Sequence, residues 1–253
     1  MGQSWEQGQD VLSVVERQIE AITQTPDLLR HFEYPQIAAG KLELLNLFLK
    51  ESGWSEEQRL RVCTATAFAQ LGLDIHENVT AAQPLDGEAK RHRQLSILAG
   101  DFFSSQFYAL LADGGEIQVI PIIAQAISDI NQAKMRLYQN DGNISFQQLL
   151  REYTIIHSAL YANFTQLDAR RGPWWKMLIE RFIVTEQASV SPAGTGERIF
   201  MHPEWEALLP SWLNDMERLI QQATTDTGTY VRLQQRFFYV QKRFARLSTE
   251  VTG

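Results

Sequence analysis

An all-α fold is what this sequence predicts, a bundle of long helices followed by a short C-terminal helical extension, and three observations predict it. Apolar residues recur at i, i+3, i+4 and i+7 through almost the whole chain, the spacing of helices that each bury one stripe. Start and stop signals fall at the ends of those periodic segments rather than inside them. No alternating run is long enough to argue for a strand, and no internal repeat is visible.

The elements follow in order. Val11, Val14, Val15, Ile19 and Ile22 form a stripe with Gln18 as its one polar slot, which predicts a helix near 9–24 that stops before Pro26. Leu42, Leu45, Phe48 and Leu49 predict a second near 38–51, closed by Gly53. Ser55-Glu56-Glu57-Gln58 is a capping box, in which the serine hydroxyl takes an orphan N–H and the glutamine reaches back, and it opens a helix over 56–82. Pro84 separates this from a helix over 87–112, and Gly114-Gly115 separates that from 116–139. Asp141-Gly142-Asn143 precedes a second capping box at Ser145-Phe146-Gln147-Gln148 and a helix over 145–168. Gly172-Pro173 introduces 173–188, and Ser191-Pro192-Ala193-Gly194-Thr195-Gly196 reads as a flexible link to two last helices near 203–222 and 228–248. Residues 1–190 are therefore expected to form the bundle, and 191–253 an extension packed on it. Several helices are apolar on more than one face, as in a bundle whose central members are surrounded.

Composition narrows the function. The chain has 253 residues with 44% hydrophobic and 21% charged, an ordinary globular balance near the upper size for one core. A net charge of −7 and a pI near 5.3 argue against nucleic acid as a partner. The single cysteine, Cys63, leaves no intrachain disulfide and reads as a buried small hydrophobe. The N-terminus shows no basic-then-apolar leader and no myristoylation template, and the longest unbroken apolar stretches, such as Val119 to Ile123, fall short of the ~20 residues of a spanning helix. A cytoplasmic protein is expected.

Familiar catalytic motifs are missing. His76-Glu77 begins like a zinc HExxH motif, but residue 80 is Thr, so the second ligand one turn on is absent. His31, His76, His92, His157 and His202 show no i, i+4 pairing, and there is no glycine-rich phosphate loop or nucleophile elbow. Arg170-Arg171-Gly172-Pro173 is a candidate anion site, but it occupies a helix connection where solvated charge is the ordinary explanation.

The most informative residues lie between 37 and 139. Leu73-Asp74-Ile75-His76-Glu77-Asn78-Val79 is followed by Arg93-Gln94-Leu95-Ser96-Ile97-Leu98-Ala99-Gly100-Asp101-Phe102-Phe103-Ser104, and later by Ile130-Asn131-Gln132-Ala133-Lys134-Met135-Arg136-Leu137-Tyr138. This set resembles component 1, the small subunit, of heptaprenyl diphosphate synthases, and more distantly the trans-prenyltransferases as a whole. The resemblance is close over 73–139, looser over 37–72 and 140–190, and absent from the last sixty or so residues. It implies an isoprenoid-synthase-like helical bundle.

Catalytic trans-prenyltransferases ionise an allylic diphosphate with Mg²⁺ held by two Asp-rich helices, and Mg²⁺ demands hard oxygen ligands in tight octahedral geometry. The resemblance places the first motif, His-Asp-Asp-x-x-Asp, on His76, Glu77, Asn78 and Ala81, so one carboxylate remains where three are needed. The second motif falls near Phe182-Ile183-Val184-Thr185-Glu186-Gln187, where Glu186 is the one acid. The family's Gly-Lys-Arg-x-Arg diphosphate site aligns with Gly40-Lys41-Leu42-Glu43-Leu44, which keeps Lys41 and replaces both arginines by leucine, a side chain that cannot form forked hydrogen bonds to phosphate. The Arg-Arg-Gly after the first motif is also missing. Three charge-handling features have eroded together, and the site reads as dead.

The resemblance therefore implies a non-catalytic regulatory and structural subunit of a two-component long-chain polyprenyl diphosphate synthase, serving menaquinone side-chain synthesis. It would stabilise an Asp-rich catalytic large subunit, help set product length, bind no cofactor itself and leave Mg²⁺ to the partner. A homodimer is the expectation for the chain alone. Asp101 is expected to be a buried structural acid, and Phe102, Phe103, Phe107 and Tyr108 a partner interface, an apolar wall or core. Rival readings are a self-sufficient atypical prenyltransferase or terpene-synthase-like enzyme using Asp74, Glu77 and Glu186, and a helical lipid-binding scaffold. In the extension, Trp205, Leu208, Leu209, Trp212 and Met216 form one apolar stripe, and Arg232, Arg236, Lys242, Arg243 and Arg246 interleave with Phe237, Phe238, Tyr239 and Phe244. That end is expected to pack on the bundle with a solvated basic side, with peripheral contact to an anionic membrane as the alternative.

Overall fold

The computed structural model describes residues 7–23, 37–77, 87–140, 144–188 and 194–250. Ten α-helices order them: α1 (Gln7–Thr23), α2 (Ala39–Glu51), α3 (Glu56–Glu77), α4 (Gly87–Gly114), α5 (Ile120–Gln139), α6 (Phe146–Ala162), α7 (Gly172–Ala188), α8 (Thr195–Phe200), α9 (Pro203–Ala223) and α10 (Thr227–Glu250). Short 3₁₀ turns precede α5 at Ile117–Val119 and follow α6 at Asn163–Leu167. No described residue lies in a strand. Pro26, residues 78–82 of the expected third helix, Pro84, the Asp141-Gly142-Asn143 stop and Ser191-Pro192-Ala193 lie outside the described residues.

Both capping boxes form. Gln58 N donates to Ser55 Oγ at 3.3 Å while Ser55 N donates to Gln58 Oε1 at 3.1 Å. Ser145 and Gln148 repeat the exchange at 3.3 Å each way. Two expectations need correction. The helix expected over 145–168 turns into 3₁₀ at Asn163, where Thr165 Oγ1 donates to Ala162 O and Gln166 Nε2 to Asn163 O, side-chain bonds that compete with helix continuation. The link expected at 191–196 gives way at Thr195 to α8, whose Ile199 and Phe200 are buried.

The chain divides into two units, Met1–Ala124 and Gln125–Gly253, with the boundary inside α5. In the first unit α3 is the hub, packed against α1, α2 and α4. Its residues Val62 to Ala69 are all buried, so the helix is enclosed on every side. Gln18, the polar slot of α1, accepts from Thr64 Oγ1 at 2.8 Å, which explains an amide within an apolar stripe. The Cys63 thiol is fully buried, and burial pushes its pKa up to about 12. Arg61 of α3 forks onto Glu116, with Nε–Oε2 at 2.8 Å and Nη2–Oε1 at 2.6 Å, tying α3 to the turn after α4.

The seam between α3 and α4 is tight because two glycines line it. A Cβ on Gly72 would sit 2.8 Å from Ser104 Oγ, and one on Gly100 2.6 Å from His76 Nε2. Phe103 and Phe107 of α4 are buried there, and Phe68 of α3 stacks on Phe103 at 6.1 Å. Each such ring contributes about 1.5–3 kcal/mol through burial. Lys90–Gly114 is also the one described helical stretch long and apolar enough to cross a bilayer, with mean hydropathy 1.2. The expectation from unbroken runs missed this, because charges here are sparse rather than absent. Its inner face is instead spent on α3.

In the second unit α7 is the hub, with α6, α8, α9 and α10 against it. An aromatic cluster of Phe146, Tyr153, Phe200 and Trp205 joins α6, α8 and α9, with Leu208, Leu209 and Trp212 packed on it. The predicted stripe of α9 is thus the stripe that is buried. Residues 194–250 belong to this unit, and Arg181 of α7 pairs with Asp215 of α9 at 2.9 Å.

Candidate functional site

The positions that carry the resemblance fall in both units, and each is described within its own. In the first unit, His76 and Glu77 end α3 and are exposed. The His76 ring lies over Gly100, and its Nε2 is 3.4 Å from Asp101 Oδ1. Asn78 and Ala81 lie outside the described residues. Lys41 sits half-buried in the first turn of α2.

Asp101 is not the buried acid expected. Its side chain is 67% exposed, with His76 as the neighbour at 3.4 Å. The physical reason is helical register. Phe103 is two residues on, about 200° around the helix, so Phe103 points inward and Asp101 outward. The aromatic residues beside it divide the same way. Phe103 and Phe107 are core, whereas Phe102 is half-buried and Tyr108 exposed. Tyr108 shares the outer side of α4 with Ile97 and Leu98, which are 39% and 54% exposed.

In the second unit, Glu186 stands near the end of α7. Arg236 of α10 grips it in a forked pair, Nε–Oε1 at 2.6 Å and Nη2–Oε2 at 2.7 Å. The guanidinium also lies 5.6 Å from the centroid of Phe182, one turn earlier on α7. Both carboxylate oxygens are therefore directed at a guanidinium. Asp226 caps α10 through Thr229 N at 2.7 Å, and Thr229, Leu233, Phe237 and Val240 bury the face that carries Arg236 inward.

Sequence reasoning placed Arg236 among solvated basic residues and missed this role. The signal was present: 236 lies on the same helical face as Leu233, Phe237 and Val240, and a cation on an apolar face needs a partner. Arg61–Glu116 was missed for the same reason, as a lone charge beside the apolar run from Val62.

Residues 26–190 match the family described as heptaprenyl diphosphate synthase (HEPPP synthase) subunit 1. The chain belongs to that family. Among relatives of this subunit 1 family, heptaprenyl diphosphate synthase component 1 of Geobacillus stearothermophilus is 34% identical over 136 residues, which cover 51% of this chain and 59% of the relative. The match thus spans less than two thirds of that protein's length. Among solved structures, a geranyltranstransferase of Thermotoga maritima aligns at TM-score 0.66 and 13% identity, covering 96% of this chain and 99% of that one. A decaprenyl diphosphate synthase of Rhodobacter capsulatus gives TM-score 0.64 at 13% identity over 93% and 97%. A mint heterotetrameric geranyl pyrophosphate synthase gives 0.58 at 14% identity over 91% and 98%. These likenesses establish the fold, that of the trans-prenyltransferases.

The fold implies Mg²⁺, and the described residues of this chain offer no donor set that fits it. Among the described residues no three His, Cys, Asp or Glu side chains gather into a group suited to a metal. Glu186, where the resemblance places the second motif, is held by Arg236, and the positions it gives to the first motif carry one carboxylate in the sequence. An octahedral Mg²⁺ bound with diphosphate needs more oxygen ligands than either position supplies.

Proposed function

We propose that this chain is the non-catalytic subunit of a two-component synthase of long-chain polyprenyl diphosphate, in the heptaprenyl range, for the menaquinone side chain. It pairs in the cytoplasm with a catalytic large subunit whose Asp-rich helices hold Mg²⁺, and it stabilises that partner and helps set product length. The observation that carries the reading is the forked Arg236–Glu186 pair, which puts a fixed guanidinium where a catalytic relative needs an acid free for metal.

Two further features support it. The outer side of α4 exposes Ile97, Leu98 and Tyr108 beside Asp101, a mixed apolar and polar surface that a partner could cover. The component 1 name of the Geobacillus relative and the heterotetrameric mint enzyme describe multi-component assemblies of related or similarly folded chains. A long product also favours a wall supplied from outside one bundle, because each buried CH₂ is favourable by roughly 0.8 kcal/mol.

The test is reconstitution. The purified chain, given Mg²⁺, isopentenyl diphosphate and farnesyl diphosphate, is expected to yield no prenyl product. An Asp-rich prenyltransferase from the same genome should release long-chain product when this chain is added. Turnover by this chain alone, abolished by Glu77→Ala, would make it a self-sufficient enzyme and end the proposal.

A further inference from the structure

The inner face of α10 is consumed by α7 and α9, but its outer face has a different character. Val231 is 42% exposed, Phe238 66% and Tyr239 61%, with Gln235 and Lys242 exposed among them. At 100° per residue these five positions occupy an arc of about 100°. Single exposed apolar side chains are ordinary. Two neighbouring aromatic rings on one arc, each about two thirds in solvent, are a patch.

Charge is segregated onto the same helix. α10 carries Arg232, Arg236, Lys242, Arg243 and Arg246 against Glu250 alone, within a chain whose net charge is −7. Arg236 is used internally by Glu186, and Lys242 is the exposed described cation on this arc. A cation on this arc draws the helix toward an anionic surface. Phe and Tyr flanked by Lys and Arg is the pattern of a helix lying in a headgroup layer, rings in the acyl boundary and cations at the phosphates.

We propose that the outer face of α10 is a docking surface for an anionic lipid bilayer, with Phe238 and Tyr239 entering the interface and Lys242 meeting lipid phosphates. The inference goes beyond the proposed subunit role, since it rests on the second unit's own surface.

Co-sedimentation of the full chain with vesicles of phosphatidylcholine, with and without phosphatidylglycerol, tests it. Binding is expected to the phosphatidylglycerol vesicles only, and to fall as salt rises. Phe238→Ala/Tyr239→Ala should weaken partitioning about tenfold or more, and Lys242→Glu at least about fivefold. Because these side chains are exposed, helicity by circular dichroism should be unchanged. Sucrose-loaded anionic vesicles that bring down no protein at low salt would overturn the proposal. So would variants that leave sedimentation intact but lower the chain's oligomeric mass, since the face would then be a protein interface.

Discussion

Gly172 begins α7 in close approach to the turn before it. A Cβ there would run into the backbone carbonyl of Thr165, while Gly172 N donates to Asp168 O at 2.7 Å. Asp168 organises the same turn, accepting from Arg170 N at 3.0 Å and Arg171 N at 2.9 Å, and these bonds, led by the one from Arg171 N, hold its carboxyl below the usual range. The Arg170-Arg171-Gly172 connection is thus a structural turn rather than an anion site. Gly172→Ala should cost about 1–3 kcal/mol, because a backbone atom cannot step aside. Gly100→Ala should cost much less, because its added methyl meets only the end of the His76 side chain, which can swing. Urea denaturation of the two variants checks the contrast. At this scale identity was legible in the sequence and orientation was not: Asp101 is flanked by apolar neighbours, yet which side of the helix it takes depends on where α3 lies.

Helices were legible where stripes were long and boxed. α3 and α6 start where Ser55 and Ser145 suggested, because propensity, capping and periodicity agree there. α8 escaped because its six residues hold one buried apolar pair, Ile199-Phe200, too short for a period to show and masked by Gly194 and Gly196. α10 was legible as a helix but not as the clamp on α7, since the pairing partners are 50 residues apart. A double-mutant cycle with Arg236→Ala and Glu186→Ala should give a coupling of about 1.5–3 kcal/mol, the worth of charge-assisted bonds shielded from water. Near-zero coupling in thermal melts would remove the pair as the anchor of α10.

For the whole molecule, the trans-prenyltransferase fold was readable from the block around Ala99-Gly100-Asp101, whereas the division inside α5 was not, since an unbroken amphipathic helix hides a boundary from any one-dimensional pattern. What the molecule leaves uncovered matters most for its proposed role. Leu98 and Tyr108 are 54% and 46% exposed on α4 and contribute little to the chain alone. Leu98→Glu/Tyr108→Glu should leave its thermal midpoint unchanged but weaken association with the catalytic subunit about thirtyfold or more, as truncating interface anchors does. Size-exclusion of the mixed subunits reads the loss directly.

The grip of Arg236 on Glu186 also has a consequence for synthesis on the ribosome. α7 emerges long before α10, so during translation Glu186 waits beside Phe182 without its guanidinium. A polypeptide truncated ahead of residue 236 would carry most of its helices yet lack the fork on that acid and the packing of α10 on α7. Completion of the last helix is therefore what distinguishes a finished subunit from a fragment that the cell's proteases should recognise.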